Sequence, residues 1–418
     1  MNNSLTSSTP SKDVQKVKLL DGGMGYSLIL SGVRRTHLFS ALALADEQYH
    51  DTVVKIHKQF IEVGSEIITT ANYGVTPIFY QREFQHREGK GKKIEVDAND
   101  EEFGWKTKMR LHVENAGKLA RKSANQCSSI KHTKVYPCIP PVENFRPSIV
   151  KKYLAENRDD FVRFYEMLVE VLDPYVDGYM LETMNSWFEV EAILDVIVST
   201  SIKYNKQCQI SGESHPTNYF PDKTDARQFS SNPFLTAKPI GISFYPGFPN
   251  IEDKPSPEST IPFIIKNLIS YKHKHNVNIQ FFGLNCAPLK ETNRALEIIK
   301  QRDCLSLLNR NQIELCVYPN CLIEEEMKSK STYNRDDKKY EVSGEEYDKF
   351  FEANETLPVL CHDIVDVWCR GTEDGGYGVS MVGGCCGFSP EHMKKVAKAL
   401  GKYHKNEKQS LIIREKGL

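Results

Sequence analysis

Short apolar runs alternate with longer amphipathic ones along this chain, and that alternation leaves few folds open. Candidate strands are Lys18–Asp21, Glu66–Ala71, Lys134–Ile139, Gly178–Glu182, Gln209–Ser211, Ile240–Phe244, Ile279–Leu284, Glu314–Tyr318 and Val379–Val382. Helical runs fall between many of them: Ala45–Val63, Lys106–Ala124, Asp160–Leu172, Trp187–Ile202, Thr260–His273, Lys290–Gln301 and Pro390–Leu400. Within the first, Tyr49, Val53, Ile56, Phe60 and Ile61 recur at helical spacing. Strands that alternate with helices pair in parallel, with the helices as crossovers. The expected fold is an α/β (β/α)8 barrel. Nine strand candidates are one too many for it. Gln209–Ser211 is read as the barrel strand because a helix leads straight into it, and Ile240–Phe244 as part of a long loop.

The 418 residues suffice for one such barrel with additions. The barrel is expected over 18–402, between tails at 1–17 and 403–418. Two stretches dense in charged residues, about 81–105 and 324–347, read as surface insertions. Lys plus Arg number 54 and Asp plus Glu 55, which gives no electrostatic reason for a nucleic acid or an anionic membrane as partner. No apolar stretch is long enough to span a bilayer, and Met1–Lys18 lacks the pattern of a signal or transit peptide. A reducing, cytoplasmic setting is the expectation. There the 11 cysteines are thiols or metal ligands rather than disulfides.

Two apolar runs end in cysteine. FFGLNCAP stops at Cys286, and MVGGCCGFSPEH at Cys385 and Cys386. The C-terminal strand ends of a barrel converge on one mouth, so distant strand ends can gather three thiols. Catalytic zinc takes three protein ligands and keeps a fourth position open. Gly383 and Gly384 are expected to turn the backbone ahead of the pair, and Ser389, Pro390 and Glu391 to start a helix just beyond it. Cys127, Cys138, Cys208, Cys304, Cys361 and Cys369 read as core or surface thiols. Cys316 and Cys321, in CVYPNC, form a competing pair with no second pair to complete a structural site.

These segments resemble the homocysteine S-methyltransferase family. LLDGGMG, FIEVGSEIITTANY, PPVENFRP, YMLETMNSWFEVEAIL, FGLNCAP, VYPN and VGGCCGFSPEH carry the likeness, in family order over most of the chain. The resemblance implies a (β/α)8 barrel, Zn2+ on Cys286, Cys385 and Cys386, and a grip on the amino-acid end of homocysteine by Asp21, Gly22, Gly23 and Glu182. Physics agrees on the carboxylates, since a substrate ammonium needs them and both end candidate strands. Asn185 and Asn285 read as neighbours that order loops or touch substrate.

Two departures concern the methyl donor. Many members that use S-methylmethionine carry Tyr-Gln after the second strand; here Tyr73 is followed by Gly74. The betaine-dependent relative has a tryptophan where this chain has Phe39. The expected reaction is methyl transfer from a sulfonium, S-methylmethionine or S-adenosylmethionine, to homocysteine, giving methionine. Tyr73 is the first candidate to face the donor's cation, with Phe39 and Tyr26 behind it. Other readings compatible with the residues are betaine, methylfolate or another donor, selenocysteine as acceptor, a non-catalytic zinc- or thiol-binding regulator, and a vicinal-cysteine redox protein. Oligomeric state is not legible.

Overall fold

A computed structural model of the chain describes residues 17–34, 36, 38–39, 41–88, 98–129, 132–143, 147–211, 238–246, 256–321 and 353–401. The expected insertion at 324–347 lies outside them, as do both tails up to residue 16 and beyond 401.

The strands are β1 (Lys18–Leu19), β2 (Ile67–Thr69), β3 (Lys134–Tyr136), β4 (Cys138–Ile139), β5 (Tyr179–Met184), β6 (Ile240–Phe244), β7 (Ile279–Asn285), β8 (Glu314–Tyr318) and β9 (Met381–Val382). All their pairings are parallel. One ladder runs β1-β9-β8-β7-β6-β5-β4, and β2 pairs with β3. Pro137 separates β3 from β4, because a proline has no N–H for the ladder. The two pieces are thus one broken strand. The ring closes between β1 and β2: Glu66 N donates to the Leu19 carbonyl at 2.7 Å and Asp21 N to the Ile67 carbonyl at 3.1 Å. The result is the α/β barrel that the alternation predicts.

Two expectations fail here: residues 81–88 finish the helix Pro77–Glu88, with Glu83 buried, rather than open a surface insertion, and the two competing strand segments trade places. Ile240–Phe244 is the barrel strand, wholly buried and paired between β5 and β7. Gln209–Ser211 continues the helix Trp187–Ser211. The physical reason lies in β5 and β7, which leave a slot buried on both faces that Ile240, Ile242 and Phe244 fill, with the Ser243 hydroxyl hydrogen-bonded inside it. A helix preceding a segment does not make that segment a strand.

Side chains alternate across each strand, so a barrel has an inner and an outer core. Inside, Leu20, Ile67, Tyr136, Met180, Phe281, Cys316, Tyr318 and Met381 pack together, drawn from strands all around the ring. Cys316 is therefore a packing residue. Outside, the helices lay apolar faces on the barrel; His50–Glu62 buries Val53, Val54, Ile56, Phe60 and Ile61. Burial of this kind stabilises by about 1.5–3 kcal/mol per large apolar side chain. Among the described residues, no helix is long and apolar enough to cross a membrane.

Candidate active site

The C-terminal ends of β7 and β9 bring the three expected thiols together. The Cys286 Sγ lies 3.9 Å from the Cys386 Sγ, and the Cys385 Sγ lies 4.0 Å from that of Cys386. All three lie within 4.8 Å of one another. Zinc–sulfur bonds of about 2.3 Å in a tetrahedron put sulfurs about 3.8 Å apart. The donor set and its spacing therefore fit such an ion.

Local backbone explains the convergence. Cys286 adopts a left-handed conformation with φ 57°, which a non-glycine residue holds only when its surroundings impose it. Its N–H donates to the Tyr318 carbonyl at 3.1 Å, and the Asn320 side-chain amide donates to its carbonyl. Adjacent residues on a strand face opposite ways, so Cys385 and Cys386 need a turn to share a target. That turn falls at Gly387, with φ 85°, not at Gly383 and Gly384 as expected. Gly384 serves close approach instead: a Cβ there would stand 2.4 Å from the Phe388 Cβ. Beyond it, Ser389 N–H donates to His392 Nδ1 at 3.1 Å, and a capping box with Pro390 in the first turn starts the expected helix Pro390–Ala399.

Mutual hydrogen bonds with Cys286, then with Cys386, and then burial push the Cys385 thiol well above its ordinary range. Without a cation the cluster holds protons, and a metal would replace them.

Asp21 follows β1 and is 4% exposed. Burial raises its carboxyl well above the carboxylate range, the Thr69 N–H at 2.7 Å opposes this, and nearby Glu182 adds to the rise. Glu182 sits in β5 where the register to β6 shifts, between Leu181 and Met184. Such a bulge re-aims a side chain. Thr183 takes φ 58° and exchanges hydrogen bonds with the Asn285 side chain, at 3.2 Å and 2.8 Å, which pins the bulge. Asn285 is thus an ordering residue, and Asn185 donates to the Thr183 carbonyl at 3.2 Å. Burial lifts the Glu182 carboxyl to about 7, against hydrogen bonds with Cys138 and Tyr318, while Cys386 adds to the rise. Gly22 and Gly23 lie against the cysteine loop, and the Gly23 N–H donates to the Phe388 carbonyl at 2.8 Å. Tyr73 also reaches this centre: its hydroxyl is raised by burial first and then by Cys286, and it hydrogen-bonds Thr183. One buried and one half-buried carboxyl, three thiols and a tyrosine hence share one barrel mouth.

A family model described as homocysteine S-methyltransferase matches residues 18–245 and 252–400. The chain belongs to that family. It is a methyltransferase, and methyl transfer to homocysteine is its chemistry. Among solved structures, the oxidized form of the homocysteine methyltransferase MmuM from Escherichia coli is similar at 18% identity and a TM-score of 0.50, over 92% of this chain and 96% of that one. The metallated form of MmuM gives 16% identity and a TM-score of 0.49 over the same shares. This likeness is one of fold. No curated protein matches the chain by sequence.

Sequence reasoning missed several residues of this methyltransferase. Tyr245 packs with Cys286 and Ala287, against Cys385 and Cys386. It directly follows β6, so reading Ile240–Phe244 as a loop hid it from view. Cys138, read as a core thiol, hydrogen-bonds Glu182. Tyr318, the last residue of a predicted strand, does the same and also pairs with Ser243. The departure at Gly74 has a steric cause: a Cβ there would stand 2.1 Å from the Leu38 carbonyl oxygen. The backbone at Leu38 and the Phe39 ring fill the space beside Gly74, so the missing side chain leaves no gap at that point. Phe39 stands edge-on to Tyr73, with ring centroids 6.4 Å apart. Tyr26 is buried in the helix Met24–Leu30.

Proposed function

We propose that this chain is a zinc-dependent enzyme that moves a methyl group from a sulfonium, S-methylmethionine or S-adenosylmethionine, to the thiol of homocysteine, giving methionine. The observation that carries the reading is the cluster of Cys286, Cys385 and Cys386, with sulfur separations of 3.9 and 4.0 Å beside the carboxyls of Asp21 and Glu182. Bound to those thiols, zinc would supply the charge that keeps the homocysteine thiol ionised at neutral pH.

The chain's own residues do the rest. Asp21 and Glu182 receive the substrate ammonium, whose charge returns both to the ionised state that burial disfavours. That end fixed, the sulfur faces the thiols. Tyr73 and Tyr245 line the approach and offer ring faces to a methyl cation. The homocysteine sulfur forms a bond to the methyl carbon as the bond from that carbon to the sulfonium breaks. The donor leaves as a neutral thioether, so no permanent counter-charge is needed for it. Phe39 in place of a tryptophan disfavours a quaternary-ammonium cage, since tryptophan has the strongest cation–π face.

The test is methionine formation from homocysteine with S-methylmethionine, S-adenosylmethionine or betaine at equal concentration. Turnover with a sulfonium is expected. Betaine as the sole productive donor refutes the assignment, and homocysteine binding without turnover on any donor points to a regulator.

A further inference from the structure

A second polar cluster lies on the same face of the barrel, where the loops after β4 and β5 meet. The Val142 N–H donates to the Glu189 Oε1 at 2.9 Å, and Glu143 and Glu189 are both completely buried. Arg82, from the helix Pro77–Glu88, pairs its Nη2 with Glu143. Four buried atoms here have no hydrogen-bond partner among the described residues: Arg82 Nη1, Asn185 Oδ1, Ser186 Oγ and Glu189 Oε2. Buried polar groups are nearly always paired, so such a concentration calls for a ligand or ordered water.

The unmet valences have a pattern. Arg82 offers a donor, Asn185 and Glu189 offer acceptors, and Ser186 can act as either. An α-amino-acid end presents the complement, a carboxylate beside an ammonium with three N–H groups. Homocysteine's own amino-acid end already has Asp21 and Glu182. Cys138 touches Glu182 and Val142 touches Glu189. Cys138 and Val142 are four positions apart, so chain length keeps them within about 14 Å of each other. An aromatic wall joins the two places: the Arg82 guanidinium lies 5.7 Å from the Phe79 ring, Phe79 lies 5.1 Å from Phe39, and Phe39 packs on Tyr73.

We infer that Arg82, Asn185, Ser186 and Glu189 bind the α-amino-acid end of the methyl donor. This rests on the sulfonium reading and sharpens it. A sulfonium built on methionine satisfies all four groups. Betaine has a carboxylate but no N–H, and leaves the acceptors unpaired. Burial, and then Glu143, raise Glu189 to about 8, so a bound ammonium would act as its counter-charge.

The test compares S-methylmethionine with trimethylsulfonium, which carries the methyl cation without the amino-acid end. Ser186→Ala and Glu189→Gln should each raise KM for S-methylmethionine tenfold or more. KM for homocysteine and kcat/KM for trimethylsulfonium should not move. Calorimetric titration of S-methylmethionine into protein without homocysteine gives a second readout, expected to weaken by the same factor. Because Glu189 also holds the Val142 N–H, Ser186→Ala carries the test if Glu189→Gln does not fold. Wild-type affinity in both measurements for Ser186→Ala overturns the site and leaves its groups to buried water. Equal wild-type kcat/KM for the two sulfoniums overturns it too, while keeping the sulfonium reading. If neither sulfonium is turned over, that reading falls, and calorimetry alone decides the site.

Discussion

Replacing Glu182 by glutamine should stabilise the metal-free protein at alkaline pH and weaken its grip on homocysteine. Burial holds the Glu182 carboxyl at about 7, against an ordinary 4.5. Its folded-state value is raised, so the folded protein binds the proton more tightly than the unfolded chain does. Below pH 4.5 the group is protonated in both states and costs nothing. Between pH 4.5 and about 7 stability falls as the pH rises, and above that the loss is complete. The gap corresponds to about 3 kcal/mol. Glutamine keeps the shape and cannot ionise, so this part of the pH dependence vanishes in Glu182→Gln. Asp21 and Glu189 are raised by burial as well, so the quantity to read is the difference between wild type and variant. Urea unfolding of metal-free protein at pH 4.5 and pH 8 supplies it. Wild type should lose about 3 kcal/mol more than the variant between those pH values. Homocysteine affinity at pH 7 should move the other way, falling by roughly 30-fold or more, since half of the ammonium's counter-charge is gone. Equal pH dependence in the two proteins, or a variant less stable at pH 8, would refute the claim that Glu182 is a carboxyl kept ready for a cation.

Wild-type protein should carry about one zinc per chain. Cys286→Ser and Cys386→Ser should lose it, and full retention in both by elemental analysis would remove the metal centre. Tyr73→Ala should raise the donor KM with little effect on homocysteine binding, whereas wild-type kinetics would place the tyrosine in packing alone. Gly74→Gln should destabilise the fold by about 1–3 kcal/mol, because its Cβ meets the Leu38 carbonyl at 2.1 Å. An unchanged melting temperature would mean that the 38–39 segment yields freely. Gly384→Ala should cost a similar amount and loosen metal retention, since Phe388 packs 2.4 Å from the added carbon and the cysteine turn follows at once.

Local patterns in the chain specify the barrel and the thiols and carboxyls gathered at its mouth. Alternating apolar and amphipathic runs specify parallel strands with crossover helices, because local periodicity decides which faces can be buried. GLNC and GGCC stand at strand ends, and a barrel gathers its strand ends, so the meeting of Cys286, Cys385 and Cys386 was legible without coordinates. The same holds for Asp21 and Glu182. The rest depends on contacts between segments distant in the chain. Gln209–Ser211 and Ile240–Phe244 compete for one slot, and the slot is assigned by β5 and β7, which no local pattern encodes. Tyr245 became visible only with that strand in place. The bulge at Glu182–Thr183 depends on Asn285, 102 residues away, and so does the direction in which Glu182 points. Gly74 reads as a missing side chain in sequence, and as space taken by Leu38 in the fold. Composition and periodicity report the preferences of neighbouring residues. The pairing of buried donors with acceptors is a property of segments that meet only after folding.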